Sequence, residues 1–460
     1  MANSSGSKDK SAHPRASGMR RAKSDHSLFH RHVLLPGEKI FYNEALTGSL
    51  LLASALVALI WANSPWSETY FALRHLRLGF KAGDSALTLD LQHWINDGLM
   101  AIFFFTVALE IKREWLYGEL SDIRKAGLPL AAAFGGMLVP AGIYLAFNAQ
   151  SGSRAGWGIP MATDIAFAIA ILALLGNRLP TQLRFFLLTF AIADDIGSIL
   201  VIAVNYTSHF SLAAFAVSMA VLILVIAMRR MGIHSPLAFF VPALFIWAAM
   251  LESGIHATLA GVALGLLTPS QSLREKNVAA KTLREDLTEI EKSGRRRKGD
   301  DQALLGHMEE TLRQTESLLE RMERNLWPWV KYFILPLFAL FNAGIVISSD
   351  FLKSSLSSQV ALGIFFGLWV GKVIGIVGVA WLTLRLGWTR MPTGMQWRHV
   401  FGAGMLGGVG FTVALFISEL AFQKKEWGEE AKMGVLAASF VSACLGYLYL
   451  RLISSPPKKH

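Results

Sequence analysis

Residues 187–203 read LLTFAIADDIGSILVIA and place two adjacent aspartates, Asp194 and Asp195, in the middle of an apolar run. An apolar helix of about 20 residues crosses the hydrocarbon core of a bilayer. A charged side chain at that depth costs about 2.5–3.5 kcal/mol on insertion scales, so acidic residues there indicate a function. The stretch therefore predicts a membrane helix that carries an ionisable site.

The composition of the whole chain supports this reading. Its 460 residues are 53% apolar and only 17% charged, whereas globular chains carry about 25% charged residues. This excludes a soluble enzyme, a disordered chain and a fibrous chain, and it predicts an all-α polytopic membrane protein. The single cysteine, Cys444, excludes an intrachain disulfide and a cysteine-rich metal site. The net charge of +11 is spread between apolar runs, which is typical of a membrane topology signal and not of a nucleic-acid surface.

Apolar runs set the predicted domain organisation. Basic residues are richer in the loops after even-numbered runs, which predicts that both termini are cytoplasmic. The twelve predicted spans are 43–62, 94–114, 127–147, 157–175, 183–205, 211–228, 235–251, 253–267, 327–349, 357–384, 398–422 and 431–453. The predicted parts are a basic cytoplasmic tail without a cleaved signal (1–41), a first membrane part (42–269), a charged cytoplasmic insertion (270–325), a second membrane part (326–455) and a short cytoplasmic tail (456–460).

Two polar segments interrupt the apolar pattern. Residues 75–92 alternate apolar and polar side chains around Ala82-Gly83-Asp84, which indicates a β-hairpin on the outer side; an ordinary loop is the alternative. The segment 270–325 is highly charged and nearly balanced, which predicts solvated helix. A heptad seam there leaves open a helical hairpin or a self-association element; its residues are Leu305, Met308, Leu312, Leu319 and Met322.

Three more ionisable residues lie well inside predicted spans: Asp97, Asp164 and Lys372. A buried ammonium needs an acidic partner, and Asp194 or Asp195 is the natural one for Lys372. Two neighbouring carboxylates repel each other, which favours the binding of a proton or of a hard cation. The proton and the cation compete for the same oxygens. The alternative is a structural pair bonded to Ser198 or to the backbone.

Glycine and proline interrupt two of the predicted spans. Pro160 precedes Met161-Ala162-Thr163-Asp164 in the fourth span, and five glycines between Gly402 and Gly410 interrupt the eleventh. Discontinuous helices expose partial charges at their ends, which Asp164 and Lys372 would offset. The two spans occupy the middle of similar three-span blocks, 127–205 and 357–453. This arrangement predicts inverted repeats and a site between two crossed broken helices, although glycines also serve close helix packing.

Charges also cluster where the second span ends. Glu110 and Glu114 are four residues apart, on one side of a helix, next to Arg113. A cation-collecting funnel, a pH-sensing cluster and an ordinary interfacial helix end are all compatible with this pattern.

Seven motifs, in this order along the chain, resemble the bacterial NhaA sodium/proton antiporter family from about residue 40 to 455, outside 270–325. They are WINDGLMAIFFFTVALEIKRE (94–114), PMATDIAFAIAILALLG (160–176), AIADDIGSI (191–199), SGIHATLAG (253–261), LPLFALFNAGI (335–345), GKVIGI (371–376) and GGVGFTVALFISELAF (407–422).

The resemblance implies a secondary active transporter of the inner membrane, not an enzyme. It implies a pH-regulated, electrogenic exchange of cytoplasmic sodium or lithium for external protons, with no cofactor. Asp195 and Asp194 match the sodium-binding pair, with Asp195 as principal ligand. Asp194 would pair with Lys372 in one protonation state.

The resemblance also assigns roles around the ion site. Thr163 and Asp164 match polar positions at the crossed broken helices, and Asp97 matches an acid on the approach to the site. The hairpin at 75–92 matches a homodimerisation element. The residues that match the pH response are Glu110, Arg113 and Glu114. The long basic tail and the insertion 270–325 depart from the family pattern, so the pH threshold is the property that they put in doubt.

Two other classes compete with this reading. A membrane-embedded prenyl transferase needs acidic DxxxD-type motifs on two helices for magnesium diphosphate, whereas these aspartates are single or adjacent and lie mid-span. A sodium-coupled symporter for an organic solute needs a larger polar pocket, and few Asn, Gln or Arg residues lie within the spans.

Overall fold

A computed structural model of the chain describes residues 44–82, 85–150, 152–207, 210–231, 236–271, 276–292, 304–309, 311 and 315–454. The predicted tails 1–41 and 456–460 lie outside the described residues, as does Leu312 of the predicted seam. The helices up to the insertion are α1 (Glu44–Ala62), α2 (Ser67–Arg74), α3 (Leu91–Tyr117), α4 (Ile123–Phe147), α5 (Ile165–Leu175), α6 (Thr181–Asn205), α7 (Leu212–Arg230), α8 (Pro236–Ser253) and α9 (Thr258–Leu267).

The second half of the chain is equally helical. The insertion contributes α10 (Lys276–Lys292) and a short helical stretch at 304–309. The helices that follow are α11 (Leu318–Trp329), α12 (Leu335–Asn342), α13 (Ser349–Ser357), α14 (Gln359–Arg385), α15 (Trp397–Gly407), α16 (Phe411–Ala421) and α17 (Lys425–Ile453).

The predicted class, a helical protein with many membrane spans, is confirmed. Within the described part of the chain, eight helices are long and apolar enough to cross a bilayer, or nine if α15 and α16 form one bent span. Each of the twelve predicted apolar runs overlaps a helix. The number of spans in the bilayer stays a prediction, because α8 and α9 are shorter apolar helices.

The predicted boundaries of the eighth and ninth spans differ from the structure for identifiable reasons. The predicted eighth span begins at 253, but α9 begins at Thr258, because Gly254 adopts a φ of +79° that ends the preceding helix. The predicted ninth span extends to 349, yet α12 ends at Asn342. A separate helix, α13, then begins after Ser348, whose hydroxyl accepts a hydrogen bond from the amide of Phe351.

The polar segment after α2 forms a β-hairpin. Strands β1 (Arg77–Ala82) and β2 (Ser85–Asp90) pair antiparallel, with Arg77 opposite Asp90 and Ala82 opposite Ser85. The Trp94 indole of α3 donates to the Leu78 carbonyl at 3.0 Å. The hairpin is therefore tied to the end of the bundle where α3 begins.

Regular helix is interrupted at two places that matter for the site. A 3-10 helix, Gly152–Met161, ends before Ala162, and the backbone resumes as α5 only at Ile165. Helices α15 and α16 are separated by residues 408–410 and are bent by 44° relative to each other. Both interruptions leave helix ends inside the bundle.

Close glycine contacts position α14, which carries Lys372. A Cβ on Gly375 would lie 2.1 Å from the Gly135 carbonyl oxygen, and a Cβ on Gly135 would lie 2.2 Å from that of Gly375. Small residues let membrane helices approach to backbone contact. The α4–α14 contact thus holds Lys372 at a fixed depth in the protein.

Candidate functional site

Lys372 and Asp194 form an ion pair in the interior of the protein. Asp194 lies in the middle of α6, and neither residue has solvent-exposed surface. The Lys372 ammonium is 2.9 Å from Asp194 Oδ1 and 3.0 Å from Oδ2, and it also donates to the Met161 carbonyl. The predicted choice of partner between the two aspartates is thereby resolved in this structure in favour of Asp194.

Asp164 joins the two interrupted segments. Its Oδ1 accepts the amide of Phe167 at 3.1 Å, which caps the first turn of α5. Its Oδ2 accepts the amide of Thr412 at 3.1 Å and the hydroxyl of Thr412 at 2.5 Å. One carboxylate therefore receives the N-terminal amides of both α5 and α16, whose partial charges are positive.

The C-terminal ends of the interrupted helices receive hydrogen bonds from side-chain donors. Lys372 donates to the carbonyl of Met161, the last residue of the 3-10 helix. The Thr163 hydroxyl donates to the carbonyl of Gly407, the last residue of α15, at 2.8 Å. The backbone also crosses between the segments, because the Asp164 amide donates to the Val409 carbonyl at 2.7 Å. Acid at the N-termini and donors at the C-termini match the charges of the helix ends.

Asp195 faces a different environment from Asp194. Adjacent positions of a helix point about 100° apart, and the Asp195 carboxylate lines a cavity of about 270 Å³ that Asp164 and Thr412 also line. The Asp195 side chain is buried, at 5% exposure. The cavity thus brings together carboxylate and hydroxyl oxygens, which are the ligands that hard cations prefer.

The cavity leads to the charged end of α3. Glu110 and Arg113 line it, as do Glu323 and Lys331 of the segment α11–α12. Arg113 donates to Glu323 at 2.6 Å and to Glu114 at 3.0 Å. These contacts bring the three predicted pH-response residues to one end of the cavity.

Glu323 completes this cluster, although its sequence position does not mark it as a site residue. Burial raises the pKa of the Glu323 carboxyl above its usual range, and the neighbouring Arg113 guanidinium offsets part of the rise. The available signal was an acid four residues before the predicted ninth span, too close to a charged loop to stand out.

Asp97 lies apart from the other predicted residues. It is near the hairpin end of α3, about 20 Å along the helix from Glu110 by the helical rise. Its backbone carbonyl accepts the Trp247 indole N–H at 2.8 Å. Asp97 is not among the described residues that line the cavity. The predicted role of Asp97 on the approach of ions to the site stays a prediction. Its position would place that approach on the hairpin side of the protein.

Other polar residues inside the bundle were also not predicted from the sequence. Thr412 follows the glycine break and binds Asp164, and a threonine just after such a break was the available signal. Glu419 and Lys432 form an ion pair between α16 and α17. Glu44 and Thr47 of α1 line the cavity; no pattern in the sequence distinguishes them from helix-end and packing residues.

A bundle of apolar helices with buried carboxylates, an internal cavity lined by some of them and interrupted helices defines a secondary active membrane transporter. The family model for "Na+/H+ antiporter 1" matches residues 38–450, and the chain belongs to this family.

Curated relatives cover nearly the whole chain. It is 44% identical to the Na(+)/H(+) antiporter NhaA of Oleidesulfovibrio alaskensis over 92% of this chain and 94% of the relative. It is 45% identical to Na(+)/H(+) antiporter NhaA 2 of Myxococcus xanthus, over 89% and 87% respectively. It is 41% identical to the NhaA of Cupriavidus necator over 90% of both chains.

Proposed function

We propose that this protein extrudes cytoplasmic sodium or lithium across the inner membrane in exchange for external protons. Family membership supports the Na+/H+ exchange itself. The observation that carries the assignment of the site is that the two adjacent aspartates have different surroundings. Asp194 is held by Lys372, while the Asp195 carboxylate lines the cavity and is available to a cation or a proton.

The exchange follows from competition at Asp195. A sodium ion that reaches the cavity binds the Asp195 carboxylate and neighbouring oxygens such as Thr412 Oγ1 and displaces a proton. A change in conformation then exposes the site to the other side, where protons displace the ion. A second proton leaves the Asp194–Lys372 pair when sodium binds and is taken up again on the other side, so that two protons move for each sodium ion. Because sodium and protons bind the same oxygens, the transport of one across the membrane is coupled to the transport of the other.

The membrane potential drives such a cycle if it moves net charge. Exchange of two protons for one sodium carries one positive charge inward in each cycle. An inside-negative potential of 100 mV then contributes about 2.3 kcal/mol to sodium export. We infer this electrogenic stoichiometry from the presence of two acids and one lysine in the site.

The proposed topology has twelve spans, inverted repeats, two crossed discontinuous helices and cytoplasmic termini. The contacts of Asp164 with the N-termini of both α5 and α16 support a meeting of two broken helices. The cavity opens toward Arg113, on the side that the basic residues predict to be cytoplasmic. The described state is then inward-facing, and the Glu110–Arg113–Glu114 cluster is suited to respond to cytoplasmic pH.

The β-hairpin is proposed as the contact of a homodimer on the outer side. Leu78 is 45% exposed, and β1 and β2 form a sheet of their own with only two strands. Replacing residues 78–89 with a short Gly–Ser linker should yield a monomer in detergent that still exchanges sodium for protons. A dimer of unchanged mass would contradict the proposal.

Reconstituted vesicles test the site. Asp195→Asn should abolish the sodium-dependent collapse of an imposed proton gradient, whereas Asp350→Asn, an exposed acid of α13, should not. Full exchange in Asp195→Asn would remove Asp195 from the mechanism. Exchange in the absence of any organic solute separates the antiporter from a symporter and from a prenyl transferase.

A further inference from the structure

Thr47 of α1 carries a buried hydroxyl without a partner. The residue is 2% exposed, and its Oγ1 has no hydrogen-bond partner among the described residues. Most buried polar side-chain atoms in proteins are hydrogen-bonded, so each exception requires an explanation. A threonine hydroxyl offers two acceptor lone pairs as well as one donor.

The position of this hydroxyl is what gives it a role. Thr47 lines the same cavity as Asp164 and Asp195, as does Glu44, one helical turn earlier. Residues three apart lie on one face of a helix. Glu44 is exposed and Thr47 is buried. On this wall of the cavity, an exposed carboxylate and a buried threonine therefore lie one helical turn apart.

The packing of α1 fixes this wall in place. Gly48, the next residue, lies against Ala170 of α5, where a Cβ on the glycine would come within 2.4 Å of the alanine Cβ. The neighbouring side chain is thus held beside the helix that Asp164 caps. A fixed, unpaired oxygen is pre-organised for a ligand because no hydrogen bond must be broken to use it.

We propose that Glu44 and Thr47 form an approach subsite that holds a small alkali cation, sodium or lithium, before it reaches Asp195. The Thr47 hydroxyl oxygen replaces part of the ion's hydration, and the Glu44 carboxylate attracts the ion at the mouth. The inference deepens the proposed function and rests on it. It adds two oxygen ligands on α1 to a site otherwise built from α5, α6 and α16.

Replacements that keep the volume of Thr47 distinguish ion binding by its hydroxyl from a role of the side chain in packing. Thr47→Val removes the hydroxyl at constant volume, and Thr47→Ser keeps it. In proteoliposomes, Thr47→Val should raise the apparent KM for sodium by roughly three- to tenfold at an unchanged maximal rate. Thr47→Ser should stay within about twofold of the wild-type KM, and Glu44→Gln should raise the KM as Thr47→Val does.

Ser355→Ala is the matched control. Ser355 is also buried, and its hydroxyl has no partner within the described part of the chain, but it lies in α13 and does not line the cavity. It should leave the KM unchanged. The thermal midpoint of Thr47→Val should equal or exceed that of the wild type, because the hydroxyl makes no bond to lose.

Two outcomes overturn the inference by different routes. If wild-type vesicles exchange sodium but Thr47→Val keeps the wild-type KM, or lowers the thermal midpoint without changing the KM, the subsite is wrong and the proposed function stands. If wild-type vesicles show no sodium-dependent proton flux, the proposed function fails and the subsite fails with it.

Discussion

The Lys372 ammonium lies 2.9 Å from the Asp194 carboxylate, and neither residue is accessible to solvent. The next residue along α6, Asp195, lines the cavity instead. Adjacent helix positions diverge by about 100°, so one turn of helix can serve two purposes. One acid neutralises a buried lysine, and the other remains available for exchangeable ions.

Removing Lys372 should destabilise the protein, because Asp194 would stay buried without its partner. Lys372→Ala leaves Asp194 buried without its partner, and breaking a buried ion pair in this way typically costs about 3–5 kcal/mol. We expect a lower thermal midpoint in detergent, with part of the loss recovered in the double variant Lys372→Ala/Asp194→Asn. A single variant as stable as the wild type would show that the pair contributes nothing to stability.

The close contact between α4 and α14 makes a second prediction. Gly375→Ala places a methyl group against the backbone of Gly135, which cannot move aside, so the helices must separate. The variant should be less stable and should exchange ions poorly, because Lys372 shifts with its helix. Gly378→Ala is the control on the same helix: apart from its own turns of helix, no atom of the described residues lies within 4 Å of the added Cβ, and alanine there should be neutral or stabilising.

The hydroxyl of Thr412 should matter to the meeting of the broken helices. Thr412→Val removes the hydrogen bond to Asp164, and a hydrogen bond to a charged group contributes about 1.5–3 kcal/mol. We expect lower thermal stability and a higher KM for sodium, with both restored in Thr412→Ser. Equal behaviour of the valine and serine variants would mean that the amide bonds to Asp164 suffice.

The Arg113–Glu323 ion pair predicts a pH dependence. The pKa of Glu323 is raised by burial, so this carboxylate takes up a proton at a higher pH than an ordinary glutamate. As the pH falls through that pKa, the charge of Glu323 and its ion pair with Arg113 are lost.

Glu323→Gln is neutral at every pH, so it should resemble the low-pH form of the wild type. Its exchange rate should differ from the wild-type rate most at alkaline pH and converge with it in acid. Glu68→Gln, on the exposed surface of α2, should follow the wild-type profile. A constant difference at all pH values would exclude Glu323 from the pH response.

Much of this molecule could be predicted from its sequence, because a bilayer imposes strict rules. Apolar runs must be helical there, so each predicted run overlaps a helix. Charged residues inside such runs are costly, so Asp164, Asp194 and Lys372 stood out. The break before Asp164 was visible as glycine and proline in an apolar run, since these residues interrupt regular helix.

What the sequence by itself determined was the membrane class, the helices and the depth of the ionisable groups. Only the tertiary structure decided that Lys372 contacts Asp194, that Asp164 receives two helix N-termini, and that Glu323 and Thr47 belong to the cavity. The hydropathy of each segment depends only on the residues of that segment, so it can be determined directly from the sequence. Pairing depends on which faces of distant helices meet, and on glycine contacts such as Gly135–Gly375, which no single segment encodes.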